Sequence, residues 1–269
     1  MEQNVKPVAS GGGVLAVIPA RLASQRLPQK PLKQIEGKTL LQRVWEQGLG
    51  AHSVDRIVIA TDDDRIAELG RSFGAEVLMT SDSITTGSQR VAAASRMLDG
   101  GYRIVVNVQG DMAFIRPELI DQCVDFLDSG IERFDMATIA TPIFDREVFH
   151  SVSDVKVVVG ENQRALYFSR APVPHSRDGN LLQTVHGEIF GYKHFGLYAF
   201  QPAVLSEYET DTLASVEGVE KLEQLRLLER GYRIGVHVVS PELTANSVEV
   251  DTESDLERSR AIARGLQKA

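Results

Sequence analysis

Residues Val14 to Ile18 form an apolar, β-branched run with no polar alternation. A strand of that kind is buried on both faces, which calls for a parallel sheet covered by helices on either side. Pro19 ends the run, and the loop after it carries Arg21, Arg26 and Lys30 between small residues, with Pro28 and Pro31 fixing its path. Cations spaced in this way suit a cradle for several phosphates, built from backbone N–H groups and long side chains together. A solvated basic loop would carry the same charges.

Strand-like and helix-like segments then alternate. Helical periodicity runs over 38–49, 63–73 and 87–98, and strand patterns over 56–60, 76–79 and 103–108. Repeated β-α-β order predicts an α/β fold: a doubly wound, mostly parallel, Rossmann-like sheet whose ligands lie outside the carboxyl ends of the strands. Pro19 to Lys30, Thr61-Asp62 and Gln109-Gly110-Asp111 fall at such ends. The second half changes character. Strands over 136–141, 155–159, 165–169, 194–200 and 233–239 are joined by longer connections, which predicts a smaller mixed-sheet lobe. Within it, 157–165 reads as a hairpin around Gly160-Glu161-Asn162, and 172–192 as a lid or dimer arm. Segments 219–230 and 253–268 are expected to close the chain as helices.

A chain of 269 residues with 43% hydrophobic content can bury one large core. Its net charge of −8 argues against a nucleic-acid or membrane-surface partner, so the positive first loop is aimed at a small anion. Cys123 is the only cysteine, which rules out an intramolecular disulfide and fits a cytoplasmic protein. Residues 1–13 are polar and end in three glycines, as a disordered leader would. They hold no signal-peptide core, and no apolar run nears the ~20 residues needed to span a bilayer.

Several motifs fail on inspection. Gly11-Gly12-Gly13 precedes the first strand, whereas dinucleotide-binding glycines follow it. Gly37-Lys38-Thr39 lacks the earlier glycine of a phosphate-binding loop, because Leu32 stands there, and reads as a turn into a helix. Asp62-Asp63-Asp64 sits where a helix should begin, and a helix dipole favours acids there. The histidines show no zinc-ligand spacing.

Ile18-Pro19-Ala20-Arg21-Leu22-Ala23-Ser24-Gln25-Arg26-Leu27-Pro28-Gln29-Lys30-Pro31-Leu32 resembles the N-terminal pattern I-P-A-R-x-x-S-x-R-L-P-x-K-P-L of the 3-deoxy-manno-octulosonate (Kdo) cytidylyltransferases, and every fixed position is met. The resemblance extends over nearly the whole chain. It takes in Asn107 to Asp111, Ala165 to Ala171, His194 to Tyr198, Glu220 to Arg226 and Val250-Asp251-Thr252.

The resemblance implies transfer of CMP from CTP to a 3-deoxy-2-ulosonic acid with release of pyrophosphate, in a homodimer that supplies lipopolysaccharide biosynthesis. It also implies one nucleotidyltransferase domain over 14–269. Residues 14–135 would be its nucleotide-binding half and 136–248 its acceptor and dimerisation half, with the metal aspartate and last helix at 249–269. Arg21, Lys30, Asp111 and Asp251 are then the expected catalytic residues. Asp111 and Asp251 would bind Mg²⁺, since hard oxygen ligands completed by phosphates suit that ion. Read alone, Asp251 would equally serve as the N-cap of the helix that follows. Nucleotide contacts are expected from Pro19, Ala20, Arg21, Ser24, Lys30, Ser88 and Arg90, and acceptor contacts from Gln109, Arg170, His194, Tyr198, Glu220 and Gln224. Glu220 and Gln224 also read as an exposed i, i+4 helical pair. Phe190-Gly191-Tyr192 and Phe195 are candidates for an apolar dimer contact.

Two departures from the family pattern flank this expected site. Thr86-Gly87-Ser88-Gln89-Arg90-Val91 stands where S-G-T-E-R-L is usual, and Met112-Ala113 replaces the Glu-Pro that usually follows Gln-Gly-Asp. These leave open a related acceptor, such as an 8-amino or sialic-like ulosonic acid, and a catalytically inactive nucleotide-binding relative.

Overall fold

A computed structural model describes residues 12–24, 26–98, 101–130, 132–209 and 215–266. Of the expected leader, residues 1–11 lie outside the described residues. The first half runs β1 (Val14–Ala20), a two-residue pair β2 (Gln34–Ile35) and β3 (Lys38–Thr39), α1 (Leu40–Leu49), β4 (Arg56–Thr61), α2 (Asp64–Ser72), β5 (Glu76–Met79), α3 (Gly87–Arg96), β6 (Ile104–Asn107) and α4 (Pro117–Asp128). The second half runs β7 (Met136–Ile143), α5 (Arg146–His150), β8 (Lys156–Val159), β9 (Ala165–Ser169), β10 (Leu182–Thr184), β11 (Gly187–Ile189) and β12 (Gly191–Phe200), then α6 (Ser215–Glu220), α7 (Leu225–Glu229), β13 (Ile234–Val238), α8 (Pro241–Thr244) and α9 (Glu253–Leu266).

Among the described residues the main sheet has the order β13-β7-β12-β6-β1-β4-β5. β5, β4, β1 and β6 are mutually parallel, as are β7 and β13, and β12 runs antiparallel between β6 and β7. Successive residues of β1 enter different cores. Val14, Ala16 and Ile18 pack with α1, α4 and α9, whereas Leu15 and Val17 pack with α3 and α7. Burial on both faces is why the strand shows no alternation. No described helix is long and apolar enough to cross a membrane.

Local chemistry explains the helix starts. Thr39 caps α1 by accepting from the Gln42 N–H, and the turn before it places Gly37 at φ 80. Asp63 caps α2 through the Arg65 and Ile66 N–H groups, so the acidic triplet is a helix entry. Thr86 and Gln89 form a capping box at α3.

The mixed second half is a branch of the same sheet. One edge of β12 is divided: its start pairs with β8 at Tyr192 and Lys193, and its end pairs with β6 at Tyr198 to Phe200. A bulge at Gly196-Leu197 marks the fork, and the Thr138 hydroxyl lies 3.1 and 2.8 Å from the Phe195 and Leu197 carbonyl oxygens freed there. β8 and β9 form the expected hairpin, with Asn162 and Gln163 at positive φ in its turn.

The helix expected over 219–230 is broken. Lys221 adopts φ 56, which ends α6 and restarts the chain as α7 at Leu225. Glu220 and Gln224 therefore do not share a helical face. Phe195 is buried, which withdraws it from the proposed apolar contact surface.

Candidate active site

The first loop, the end of β6 and the segment before α9 meet at the carboxyl ends of β1 and β6. Gly110 is required there, because a Cβ would stand 2.7 Å from the Pro19 carbonyl oxygen. Asp111 accepts the Val250 N–H through its backbone oxygen at 3.0 Å, and Met112 bridges to Glu249. That short antiparallel contact brings Asp251 beside Asp111.

Between the two carboxylates stands Lys30. Its Nζ donates to Asp111 Oδ2 at 2.8 Å and to Asp251 Oδ1 at 2.9 Å, while Arg26 Nη2 donates to Asp251 Oδ2 at 2.7 Å. A single turn of 3₁₀ helix, 30–32, stiffened by Pro31, sets the Lys30 backbone. Burial disfavours the ammonium, but the two aspartates outweigh it and raise the Lys30 pKa. Burial likewise disfavours ionised Asp251, and Lys30 and Arg26 outweigh it to hold that carboxyl below its usual range. Asp251 is free for this role because Thr252 caps α9 in its place. Asp255 accepts from the Asp251 and Thr252 N–H groups, and its own N–H returns to the Thr252 hydroxyl.

Two carboxylates around one cation form a hard-oxygen donor pair of the kind that suits Mg²⁺ completed by phosphate and water. Among the described residues no group of three or more His, Cys, Asp or Glu could hold a metal by itself. Glu249, not singled out from the sequence, adds negative charge next to the pair. Desolvation and the charges of Asp111 and Asp251 raise its carboxyl to about 7. Since Glu249 keeps an exposed surface, the charges are the firmer cause. The alternation Val248-Glu249-Val250-Asp251 carried the signal, since period two puts both acids on one face.

The expected nucleotide residues divide. Pro19 and Ala20 end β1 beside Gly110, Arg21 donates to the Thr85 carbonyl at 2.8 Å from an exposed position, and Ser24 Oγ accepts the Leu27 N–H to shape the loop. Ser88 and Arg90 are otherwise engaged. The Ser88 hydroxyl and N–H both reach the Glu223 carboxylate, at 2.8 and 3.2 Å, so the α3 N-terminus already holds an anion. Burial raises the Glu223 pKa against those hydrogen bonds. Arg90, 2% exposed, binds Asp62, Thr80 and the Ile84 carbonyl, and so serves the fold rather than the cleft.

The acceptor set divides similarly. Gln109 lies over Gly196 at the fork, His194 and Tyr198 flank the bulge with ring centroids 5.6 Å apart, and the Tyr198 hydroxyl donates to Gln224 Oε1 at 3.2 Å. Gln224 Nε2 and Asn107 Oδ1 are buried without a hydrogen-bond partner, the mark of a polar cluster built to receive another polar group. Burial depresses the His194 pKa to about 3. The Thr138 hydroxyl has its one proton for a bulge carbonyl, so His194 Nε2 donates to Thr138 and the neutral ring keeps Nδ1 as an acceptor. Arg170 and Glu220 instead form a latch. Glu220 accepts from Ser169 Oγ and the Arg170 N–H, while the Arg170 guanidinium donates to the Glu220 and Val152 carbonyls.

Neither departure from the family pattern faces the cleft. Gln89 Oε1 closes the capping box, and a glutamate would accept the same Thr85 and Thr86 groups. Met112 is 1% exposed and packs with Ile115, Leu119, Ile139, Phe195 and Leu197. Ala113 is buried as well.

A family description for cytidylyltransferases matches residues 15–234. A 3-deoxy-manno-octulosonate cytidylyltransferase from Syntrophotalea carbinolica is 41% identical over 257 residues, covering 94% of this chain and 99% of the relative. The chain belongs to this cytidylyltransferase family. An enzyme of the same name from Acinetobacter baumannii is 39% identical over 90% of this chain and 94% of its own length. Among solved structures, a CMP:2-keto-3-deoxy-manno-octonic acid synthetase complexed with CTP superposes with TM-score 0.83 at 33% identity, covering 94% of this chain and 99% of that one. A 4-diphosphocytidyl-2C-methyl-D-erythritol synthase from Anaerococcus prevotii, at 14% identity and TM-score 0.60, shares the fold. The cytidylyltransferase sheet thus carries its charged cleft at the β1 and β6 ends, where the alternating pattern of the sequence placed it.

Proposed function

We propose that the protein transfers CMP from CTP to the anomeric hydroxyl of 3-deoxy-manno-octulosonate, releasing pyrophosphate. The observation that carries this reading is near-full-length similarity to enzymes of that name, combined with Lys30, Asp111 and Asp251 meeting at one strand-end cleft. The sugar hydroxyl attacks the α-phosphorus, its proton passes to solvent water, and the bond to the pyrophosphate oxygen breaks. Charge gathers on the phosphate oxygens, so positioning and electrostatics carry the rate. Arg21 and Lys30 hold the triphosphate. Gln109, Tyr198 and Gln224 orient the sugar from the fork, with His194 Nδ1 as a neutral acceptor. A divalent cation on Asp111 and Asp251 would withdraw charge from the α-phosphate and acidify the attacking hydroxyl.

Pyrophosphate release from purified protein, Mg²⁺, each nucleoside triphosphate and a panel of ulosonic acids tests the assignment. The expected result is a strong preference for CTP over UTP, because groups matched to an exocyclic amine would face an unpaired acceptor in uracil. Kdo should outrank its 8-amino and sialic analogues, since the two departures lie outside the cleft. Equal rates with CTP and UTP, or no turnover with Kdo, would overturn it. A cytoplasmic location fits a CTP-consuming reaction and one buried thiol.

We further propose a homodimer through the second-half branch, where Phe144, Val152, Leu166 and Val185 are exposed. Sedimentation at micromolar concentration should give twice the 29.6 kDa chain mass; a monomer there would remove the proposal.

A further inference from the structure

The Lys30 ammonium lies 2.8 and 2.9 Å from one oxygen of each aspartate, which is where a cation shared by Asp111 and Asp251 would have to stand. Lys30 and a metal ion therefore cannot both hold that position. Asp111 and Asp251 face the Lys30 ammonium and the Arg26 guanidinium, with the Glu249 carboxyl beside them. Side-chain exposures of 17% for Lys30, 22% for Asp111 and 29% for Asp251 leave these contacts only partly screened by water. No third protein ligand offsets the competition, since the described residues contain no group of three or more potential ligands.

We propose that Lys30 is a built-in competitor for the divalent cation, so that metal binds the Asp111–Asp251 pair only when a triphosphate draws Lys30 onto its own oxygens. The proposal rests on the reading of the two aspartates as metal ligands and adds an order of binding to it. A nucleoside triphosphate carries more negative charge than the aspartate pair and offers the ammonium several oxygens, so exchange of partners costs Lys30 little. Once it moves, one oxygen of each aspartate is freed for the metal, and phosphate oxygens would complete its shell. Metal and nucleotide affinities are then linked, each tightening the other by the same factor. Lys30 also gains a second role beside holding phosphate: it offsets the charge of the two aspartates between turnovers.

Mn²⁺ binding read by electron paramagnetic resonance tests this without turnover. Wild-type protein should bind Mn²⁺ weakly alone and tightly with α,β-methylene-CTP, whose bridging carbon prevents transfer. Lys30→Met should bind Mn²⁺ about tenfold or more tightly than wild type when no nucleotide is present. It should also gain less from the nucleotide. Lys30→Gln provides the same comparison should the methionine variant fold poorly, as judged by circular dichroism. Equal nucleotide-free affinities in wild type and folded Lys30 variants would overturn the competitor role. Asp111→Asn separates the two ideas, because undiminished Mn²⁺ binding with the analogue would overturn the metal-ligand reading itself.

Discussion

Replacing Asp111 or Asp251 with asparagine is expected to lower turnover by about 10²-fold or more while leaving the fold intact. Each substitution keeps the shape of the side chain and removes one charge from the pair that flanks Lys30. Each loses one ion-pair partner of Lys30 and no core packing, so a modest fall in the unfolding midpoint should accompany a much larger loss of catalysis. Pyrophosphate release at saturating CTP, Kdo and Mg²⁺, with circular dichroism of the same samples, provides the measurement. Asp255→Asn is the informative control: it weakens the turn that starts α9 but carries no charge to the cleft. Near-normal turnover in either Asp111→Asn or Asp251→Asn would remove that residue from the site.

The second large effect lies in the protein's support beneath the acceptor side. Arg226 is fully buried and bonds Glu217 at 2.8 and 3.1 Å, lies 5.4 Å from the Tyr208 ring centre and donates to the Glu207 carbonyl. Arg226→Met should lower the free energy of unfolding by about 3–5 kcal/mol, because it leaves the Glu217 carboxylate buried without its counter-ion. The double variant Glu217→Gln with Arg226→Met should recover part of that loss. Chemical denaturation at neutral pH measures both, and a single-variant loss below about 1 kcal/mol would show the pair to be unimportant. The functional consequence follows from position. Arg226 ties α6 to α7, and Gln224, at the entry to α7, holds the Tyr198 hydroxyl.

Much of this arrangement is legible in the sequence. The unbroken apolar character of β1 follows from local pattern, because neighbours on both faces impose the same demand on every residue, whereas β5 and the hairpin strand β9 show as short apolar runs between turn residues. The break at Lys221 was not legible, since a lysine at positive φ carries no sequence signal and the surrounding residues keep helical spacing. Arg90 misled for a related reason. The family resemblance marks Arg90 as a nucleotide contact, but whether Asp62 reaches it first is decided by how the β4–α2 turn folds back. The convergence of Asp111 and Asp251 depends on a backbone contact between distant segments, and only resemblance to a family pointed to it. Glu249 is readable from the alternation Val248-Glu249-Val250-Asp251, which places it on the same face as Asp251.

The divided strand β12 also fixes when the protein can become itself during synthesis. β6 and β7 leave the ribosome early but do not pair with one another; the strand that joins them ends only at Phe200. A nascent chain released before that point holds two unfinished sheet edges, and β13, which seals β7, comes later still. The charged cleft is completed later again, since Asp251 follows β13 in the chain. The second aspartate of the cleft therefore emerges only after every strand of the central seam has been made.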